Sequence, residues 1–186
     1  MTELSPRLDA LGLRLLTAAD APELQAVVEA NRDYLALWVP WAATQQLDDS
    51  ERFIAETQDQ LARNDGFQVC IAPDGPIVGM VGFHSVSWGN RSTSIGYWLA
   101  EDHQGRGIMT TAVRALVDHA FDEWDLHRIE IHCAPANHRS RAIPERLGFR
   151  EEATLREAEL VGGRYLDGVV YGLLESERSA GPDSDG

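Results

Sequence analysis

The chain has 186 residues, 44% of them hydrophobic and 25% charged, which is typical of a single globular domain. Its formal net charge of −14 argues against nucleic-acid binding, because that binding depends on Lys and Arg side chains that contact phosphates. No apolar run approaches the ~20 residues needed to span a bilayer, and the N-terminus lacks the pattern of a signal peptide. Cys70 and Cys133 have no metal or redox spacing, so the sequence predicts a cytoplasmic protein without a membrane partner.

The first half of the chain alternates helical and extended patterns. Residues 1–10 are predicted to be a flexible N-terminus, followed by one domain over 11–176. The predicted elements of this half are a strand at 12–16, helices at 21–31 and 50–64, and strands at 67–72 and 77–86. Ser50 is expected to cap the second of these helices.

An aromatic run lies between the two helices, from Tyr34 through Trp38 to Trp41. Pro40 between two tryptophans excludes an uninterrupted helix interior. The run either joins the helices as part of the core or forms one wall of a ligand pocket. The sequence alone leaves both interpretations open.

A strand, a glycine turn and a helix follow one another in the middle of the chain. The apolar run 95–99 predicts a buried strand, and residues 104–107 precede the helix. The apolar face of that helix contains Met109, Ala112, Val113, Leu116, Val117, Ala120, Phe121 and Trp124. The first N–H groups of a helix lack partners within it, and Gly105 and Gly107 leave them accessible to an anion. With Arg106 beside them, these residues predict a pyrophosphate site, although glycine pairs also precede helices that bind nothing.

The last third of the chain completes a mixed α/β pattern. The predicted elements are a strand at 128–133, a helix at 140–147, and strands at 151–160 and 164–174. Residues 177–186 are predicted to be a disordered tail. Since no cluster of His, Cys or carboxylate residues has ligand spacing, no metal is expected.

Two motifs resemble those of the GNAT superfamily of acyl-CoA N-acyltransferases. Gln104-x-x-Gly107-x-Met109 is similar to the Q/R-x-x-G-x-G/A signature of that superfamily. Asn137-x-x-Ser140 and Leu147-Gly148-Phe149 stand where the family has its second acyl-CoA element. The segment Gly96-Tyr97-Trp98-Leu99 is most similar to the sequence of the RimJ/RimL-type N-acetyltransferases. The resemblance covers residues 10–175.

The resemblance implies a fold and a cosubstrate. The expected fold is a single GNAT-like α/β domain with a mixed, mostly antiparallel sheet of about seven strands and about four helices. Its central strand should splay from its neighbour to admit acetyl-CoA. The residues expected to contact acetyl-CoA are Tyr97, Trp98, Leu99, Gln104, Gly105, Arg106, Gly107, Ile108, Met109, Thr110 and Asn137.

Two residues are the expected catalytic groups. Ser140 matches a serine proposed as general acid in the resembling branch, whereas Pro144 replaces the tyrosine acid of many GNAT enzymes. Ser140 could instead only cap its helix. Glu159 matches the branch's glutamate base, the alternative being a solvated strand edge. His84 and His132 are weaker candidates for the base.

The acceptor implied by the resemblance is a primary amine. Tyr34, Trp38, Trp41 and His84 are its expected binding residues. An α-amine of pKa about 7.7–8 is roughly one-tenth neutral at pH 7, and a lysine of pKa about 10.4 far less, so a protein N-terminus is favoured. A small-molecule amine, or a non-catalytic acyl-CoA-binding role, remains an alternative. A homodimer is compatible with the sequence.

Overall fold

A seven-stranded sheet lies at the centre of the computed structural model, which describes residues 5–178. Its strands are β1 (Leu13–Leu15), β2 (Gln68–Ile71), β3 (Gly79–Phe83), β4 (Ser92–Leu99), β5 (Arg128–Cys133), β6 (Arg150–Val161) and β7 (Arg164–Leu174). They pair in the order β1-β2-β3-β4-β5-β7-β6. Only β4 and β5 run parallel, so the predicted mixed, mostly antiparallel sheet is confirmed.

Six α-helices accompany the sheet in the described part of the chain. They are α1 (Pro6–Asp9), α2 (Ala21–Ala30), α3 (Arg32–Leu35), α4 (Leu47–Ala62), α5 (Ile108–Asp122) and α6 (His138–Arg146). The four longer helices, α2, α4, α5 and α6, are those that the sequence predicts. The additional helices α1 and α3 are single turns, too short for a periodic apolar pattern to reveal.

Both faces of the sheet are covered. On one face α5 packs through Val113 and Leu116 onto a core that includes Ile95 and Ile129. On the other face α2 and α4 form a smaller core with the sheet, made by Leu16, Ala21, Leu24, Ile54, Cys70, Ala72, Ile77 and Met80. Because successive side chains of a strand alternate between faces, Tyr97 packs on the α5 side and its neighbour Trp98 on the α2 side.

The start of α4 differs from the prediction. The helix begins at Leu47, and the backbone N–H of Gln46 donates to the Asp49 carboxylate at 2.9 Å. Ser50 lies within the helix and is fully buried, so it does not cap the helix end. Its hydroxyl donates to Gln25 Oε1 at 3.0 Å and accepts from Gln45 Nε2 at 2.9 Å. The serine therefore ties α4 to α2 through a buried polar network.

In the described part of the predicted flexible N-terminus, residues 5–10, the chain packs against the domain, and residues 1–4 lie outside the described residues. Residues Pro6–Asp9 form a helical turn, and Leu8 is only 1% exposed within the main core. Arg7 forms an ion pair with Asp118 of α5 at 2.9 Å. One buried leucine is enough to fix a short turn, although a single apolar residue gives no periodic signal in the sequence.

The predicted tail begins inside the described residues. Glu177 Oε2 accepts from the backbone N–H of Leu174 at 3.3 Å, and Arg178 pairs with Asp118 at 3.1 Å and also with Asp122. The rest of the predicted tail, 179–186, lies outside the described residues.

Substitution of Leu8 tests the packing of the N-terminal turn. Leu8→Ala should lower the free energy of unfolding by about 2–5 kcal/mol, because it removes a fully buried side chain from the core. Leu11→Ala is the matched control, since Leu11 is 36% exposed, and it should change stability by no more than about 0.5 kcal/mol. Denaturant unfolding of both variants measures the difference. Equal, small losses would show that the turn does not contribute to the core.

Candidate active site

The two parallel strands separate partway along their length. β4 and β5 pair only at Ser92–Arg128, Thr93–Ile129 and Ser94–Glu130. Beyond Ser94 and Glu130 both strands continue without pairing to each other, β4 to Leu99 and β5 to Cys133. A cleft of about 1640 Å³ opens where they part. The predicted splay of the central strand is therefore present.

The separation leaves backbone groups of β4 facing the cleft. His84 N donates to Ser94 O at 2.9 Å and Ala100 N to Val78 O at 2.8 Å, so the even-numbered residues bond toward β3. Alternate residues of a strand direct their N–H and C=O groups to opposite edges, so those of Tyr97 and Leu99 face the opened edge. These N–H groups are suited to receive a carbonyl oxygen or a developing oxyanion.

The glycine loop, residues 104–107, leads directly into α5. Gly105 and Gly107 have φ of +71° and +79°, conformations that favour glycine, and Gly107 is the N-cap of the helix. A Cβ added at either position would meet no atom within 4 Å, so both glycines border open space. Gln104, Gly105, Gly107, Ile108, Met109 and Thr110 line the cleft. The N-terminus of a 15-residue helix therefore faces the cleft with its dipole suited to an anion.

Arg106 has a different position from its neighbours in the loop. Its guanidinium donates to Asp102 O at 2.8 Å, and the residue is not part of the cleft lining. Two arginines of α6 lie beside the glycine loop and the first turn of α5 instead. Arg139 donates to Gln104 Oε1 at 2.6 Å and Arg146 to Thr110 Oγ1 at 3.1 Å, and both line the cleft.

Ser140 lies in a polar network on the α5 side of the cleft. Its Oγ is 3.2 Å from Cys133 Sγ and donates to the Tyr97 hydroxyl at 3.3 Å. Tyr97 in turn donates to Ser140 O at 3.0 Å. The cap of α6 is Asn137, whose side chain accepts from Ser140 N at 3.2 Å, so the serine hydroxyl is not the capping group.

Burial keeps this network protonated. It raises the pKa of the Tyr97 hydroxyl well above its usual range, and it also raises the pKa of the Cys133 thiol. Both groups are therefore neutral near pH 7 and can donate hydrogen bonds. Cys133 and the phenol of Tyr97 were not assigned to this role from the sequence, because their meeting with Ser140 depends on the tertiary structure.

An aromatic wall, formed by Tyr34, Trp38, Trp41 and Trp98, lines the cleft on the α2 side. Trp41 and Trp98 form an edge-to-face pair with ring centroids 6.2 Å apart. Trp98 thus lies on the side opposite to the one expected for a cosubstrate residue. The run 34–41 has features of both interpretations, since Leu35 is buried in the protein while Trp41 is 39% exposed and lines the cleft.

His84 lies next to the aromatic wall at the splay. Its Nδ1 is 2.9 Å from Ser94 Oγ, and its Nε2 would be 2.7 Å from a Cβ placed on Gly96. The absence of a side chain at Gly96 is therefore what makes room for the imidazole. Burial and the nearby His132 lower the pKa of His84, which favours its neutral form.

Glu159 is on β6, where the strand is irregular. Pairing with β7 shifts register between Leu155 and Glu159, and Glu157 has φ of +52°. On a regular strand Glu157 and Glu159 would share one face, but the bulge breaks that alternation. Glu159 lines the cleft, whereas the backbone N–H of Glu157 donates to Asp167 Oδ1 at 2.9 Å.

Comparison with known proteins identifies the family. Residues 10–150 match the family model described as an acetyltransferase (GNAT) domain. The chain belongs to the GNAT acetyltransferase family. The YdaF protein of Bacillus subtilis (strain 168) is 37% identical over 167 residues, covering 89% of this chain and 91% of that protein.

Solved structures of GNAT acetyltransferases are similar as well. The ribosomal L7/L12 α-N-protein acetyltransferase RimL, in complex with coenzyme A, superimposes with a TM-score of 0.83 at 26% identity, covering 87% of this chain and 92% of that one. The microcin C7 self-immunity acetyltransferase MccE, in complex with acetyl-CoA and AMP, has the same TM-score at 28% identity, covering 87% and 91%. This protein is accordingly an N-acetyltransferase of the GNAT type.

Sequence reasoning also missed Arg139 and Arg146 of α6, which line the cleft. His138, Arg139 and Arg146 form a basic helix in a chain with a net charge of −14. That local reversal of charge is a signal visible in the sequence. Within residues 5–178 no group of three or more His, Cys, Asp or Glu side chains could hold a metal ion. No helix in that same range has the length and apolar character to cross a membrane.

Substitution of Gly107 tests the anion site of this GNAT protein. Gly107→Asp should weaken acetyl-CoA binding by at least about 10²-fold, because it places bulk and negative charge against the first turn of α5. The control is Gly163→Asp, in the β6–β7 turn, where φ is +77° and an added Cβ also meets open space. Calorimetric titration should give parent-like affinity for the control. Parent-like affinity for a folded Gly107→Asp protein would contradict the assignment.

Proposed function

We propose that the protein transfers the acetyl group of acetyl-CoA to the N-terminal α-amine of a protein, by direct attack in a ternary complex. One observation carries this proposal: a single cleft joins an anion-binding helix terminus to an aromatic wall through the point where β4 and β5 separate. The names of the similar structures support it, since RimL is an α-N-protein acetyltransferase and its structure contains coenzyme A.

The proposed cosubstrate enters from the α5 side. Its pyrophosphate would accept hydrogen bonds from the first N–H groups of α5, with Arg139 and Arg146 supplying positive charge beside them. The pantetheine arm would follow the free edge of β4, and the thioester carbonyl would meet the N–H groups of Tyr97 and Leu99. The residues that line this path are those expected for acetyl-CoA, except that Arg139 and Arg146 replace Arg106 and that Trp98 faces the opposite side.

Ser140 is the proposed partner of the departing sulfur. A serine hydroxyl is a weak acid, so its role is to donate a hydrogen bond as negative charge develops on the thiolate. Ser140 Oγ is 3.3 Å from the Tyr97 hydroxyl and 3.2 Å from Cys133 Sγ, and both of these groups are protonated. When the serine O–H turns from Tyr97 to the sulfur, either group can donate to Oγ in its place. The chain thus provides a hydroxyl relay where many GNAT enzymes use one tyrosine, the position taken here by Pro144.

Glu159 is the proposed base for the incoming ammonium. It lines the cleft together with Asp49, Glu101 and Asp167, so four carboxylates face an acceptor that arrives as a cation. This charge attracts an amine without selecting a protein over a small molecule. The edge-to-face pair of Trp41 and Trp98 could equally hold a planar group, which supports a small-molecule amine as the second candidate acceptor.

Release of free thiol from acetyl-CoA tests the proposed function. Short peptides with N-terminal Ser or Ala should give turnover, and the same peptides with an acetylated N-terminus and an internal lysine should not. Turnover only with small amines would favour the second candidate. Tight acetyl-CoA binding without thiol release from any amine would contradict an enzymatic role for this cleft.

Ser140→Ala tests the thiolate partner. The variant should lower kcat by about 10- to 1000-fold and leave the acetyl-CoA Kd nearly unchanged, because the hydroxyl matters mainly as charge develops on sulfur. Ser176→Ala, at an exposed position of the C-terminal turn, is the control and should turn over like the parent. An unchanged kcat in the Ser140 variant would remove the serine from the mechanism.

Trp41→Ala tests the aromatic wall. The acceptor KM should rise by about tenfold or more while the acetyl-CoA KM stays near the parent value, because Trp41 faces only the α2 side of the cleft. Trp88→Ala is the matched control, since Trp88 is similarly exposed at 41% and packs against Trp124 outside the cleft. A loss of stability with unchanged kinetics would assign Trp41 to the core alone.

A further inference from the structure

One face of β5 carries three polar residues in line. Arg128, Glu130 and His132 occupy alternate positions, while the residues between them face the apolar core. Glu130 joins the other two: its Oε1 accepts from Arg128 Nη2 at 2.9 Å, and its Oε2 lies 2.8 Å from His132 Nε2. A carboxylate on one imidazole nitrogen fixes the tautomer and leaves the other nitrogen as a proton acceptor.

His132 lies at the end of this row of polar residues, just beyond the point where β4 and β5 separate. Glu130 is opposite Ser94 in the last β4–β5 pair, and His132 follows two residues later, where the cleft has opened. Glu159 is farther away. Glu159 pairs with Leu166 of β7, whereas His132 is opposite Val170. These two β7 residues are four positions apart, so roughly 13 Å along the strand separates Glu159 from His132.

The amine nitrogen must lose two protons during the reaction. An ammonium must lose one proton before its lone pair can attack, and the nitrogen must lose a second proton after the C–N bond has formed. Under the proposed function, on which this inference rests, Glu159 at the cleft rim takes the first proton. The second proton leaves the nitrogen after this atom has bonded to the carbonyl carbon, at the point where β4 and β5 separate.

We infer that His132, held by Glu130, is the catalytic residue that accepts this second proton. The amine lone pair forms the C–N bond, and the carbonyl electron pair moves to the oxygen beside the N–H groups of Tyr97 and Leu99. When the C–O double bond re-forms, the C–S bond breaks and its electron pair leaves with the sulfur. The sulfur takes a proton through Ser140, and the nitrogen gives its proton to His132 Nδ1. Exchange with water restores Glu159, His132 and Ser140, and one net proton is released per turnover.

The charges around His132 suit this role. Burial acts to raise the pKa of Glu130, but hydrogen bonds from His132 and Arg128 outweigh it, so the carboxylate stays ionised and stabilises an imidazolium. Arg128 also pairs with Glu152 of β6, which offsets its own charge. His84 is a further titratable neighbour, and burial together with His132 lowers its pKa, which favours its neutral form.

The experiment compares three variants in the thiol-release assay with Ser- and Ala-initiated peptides. His132→Gln should lower kcat at pH 7 by about 10²-fold or more, with unchanged acetyl-CoA affinity by calorimetry. His127→Gln, which alters an exposed histidine outside the cleft, should behave like the parent. Glu159→Gln should recover as the pH rises to about 9, because the amine then deprotonates without help. His132→Gln should not recover, since its proton leaves only after attack.

Rescue of kcat by free imidazole is a second measurement. It would not occur if His132 had only a structural role. Free imidazole added to His132→Ala should restore part of the lost kcat, and it should do nothing for Glu159→Gln. Parent-like kcat for His132→Gln, recovery of that variant in alkali, or loss of acetyl-CoA binding without imidazole rescue would each overturn the inference while leaving the proposed function standing. Absence of thiol release by the parent with every peptide would overturn both.

Discussion

The parting of β4 and β5 after Ser94 and Glu130 is the constraint on which the site depends. A continuous ladder would have used the N–H and C=O groups of Tyr97 and Leu99 for β-pairing, and no cleft would pass through the sheet. The unpaired edges remain in place because β4 is held by β3 along its whole second half and β5 is held by β7. Antiparallel neighbours thus stabilise an opening that the parallel pair leaves free.

Periodicity in the sequence was sufficient to predict the elements that form this frame. The strands at 128–133 and 164–174 coincide with β5 and β7, and the helix after Gly107 coincides with α5 to within two residues. The segments that it missed or misplaced depend on single residues. Leu8 holds a one-turn helix by burial, and Ser50 is buried by its partners on α2 rather than exposed as a cap. Such contacts join residues far apart in sequence, which local patterns cannot report.

The candidate site divides in the same way. The glycine loop and Ser140 could be located from motifs, because backbone amides at a helix start and a short Asn-x-x-Ser spacing are local features. The position of Arg139 and Arg146 in the cleft lining could not, since it depends on how α6 packs against α5. The position of Glu159 depends on a β-bulge, which shifts the side-chain alternation by an amount that the sequence does not specify.

The two ends of the cleft are built from separate parts of the chain. The glycine loop and α6 form one end, while the segment 34–41 and the β6–β7 hairpin form the other, and the separated ends of β4 and β5 run between them. Residues Arg150–Leu160 of the hairpin are exposed throughout, so their side chains pack little against the rest of the protein. Apart from Glu159, these hairpin positions can therefore change without disturbing the glycine loop and α6. Because the two ends are built separately, proteins with this fold can exchange one reactant for another during evolution. The residues that bind the shared reactant are then inherited unchanged.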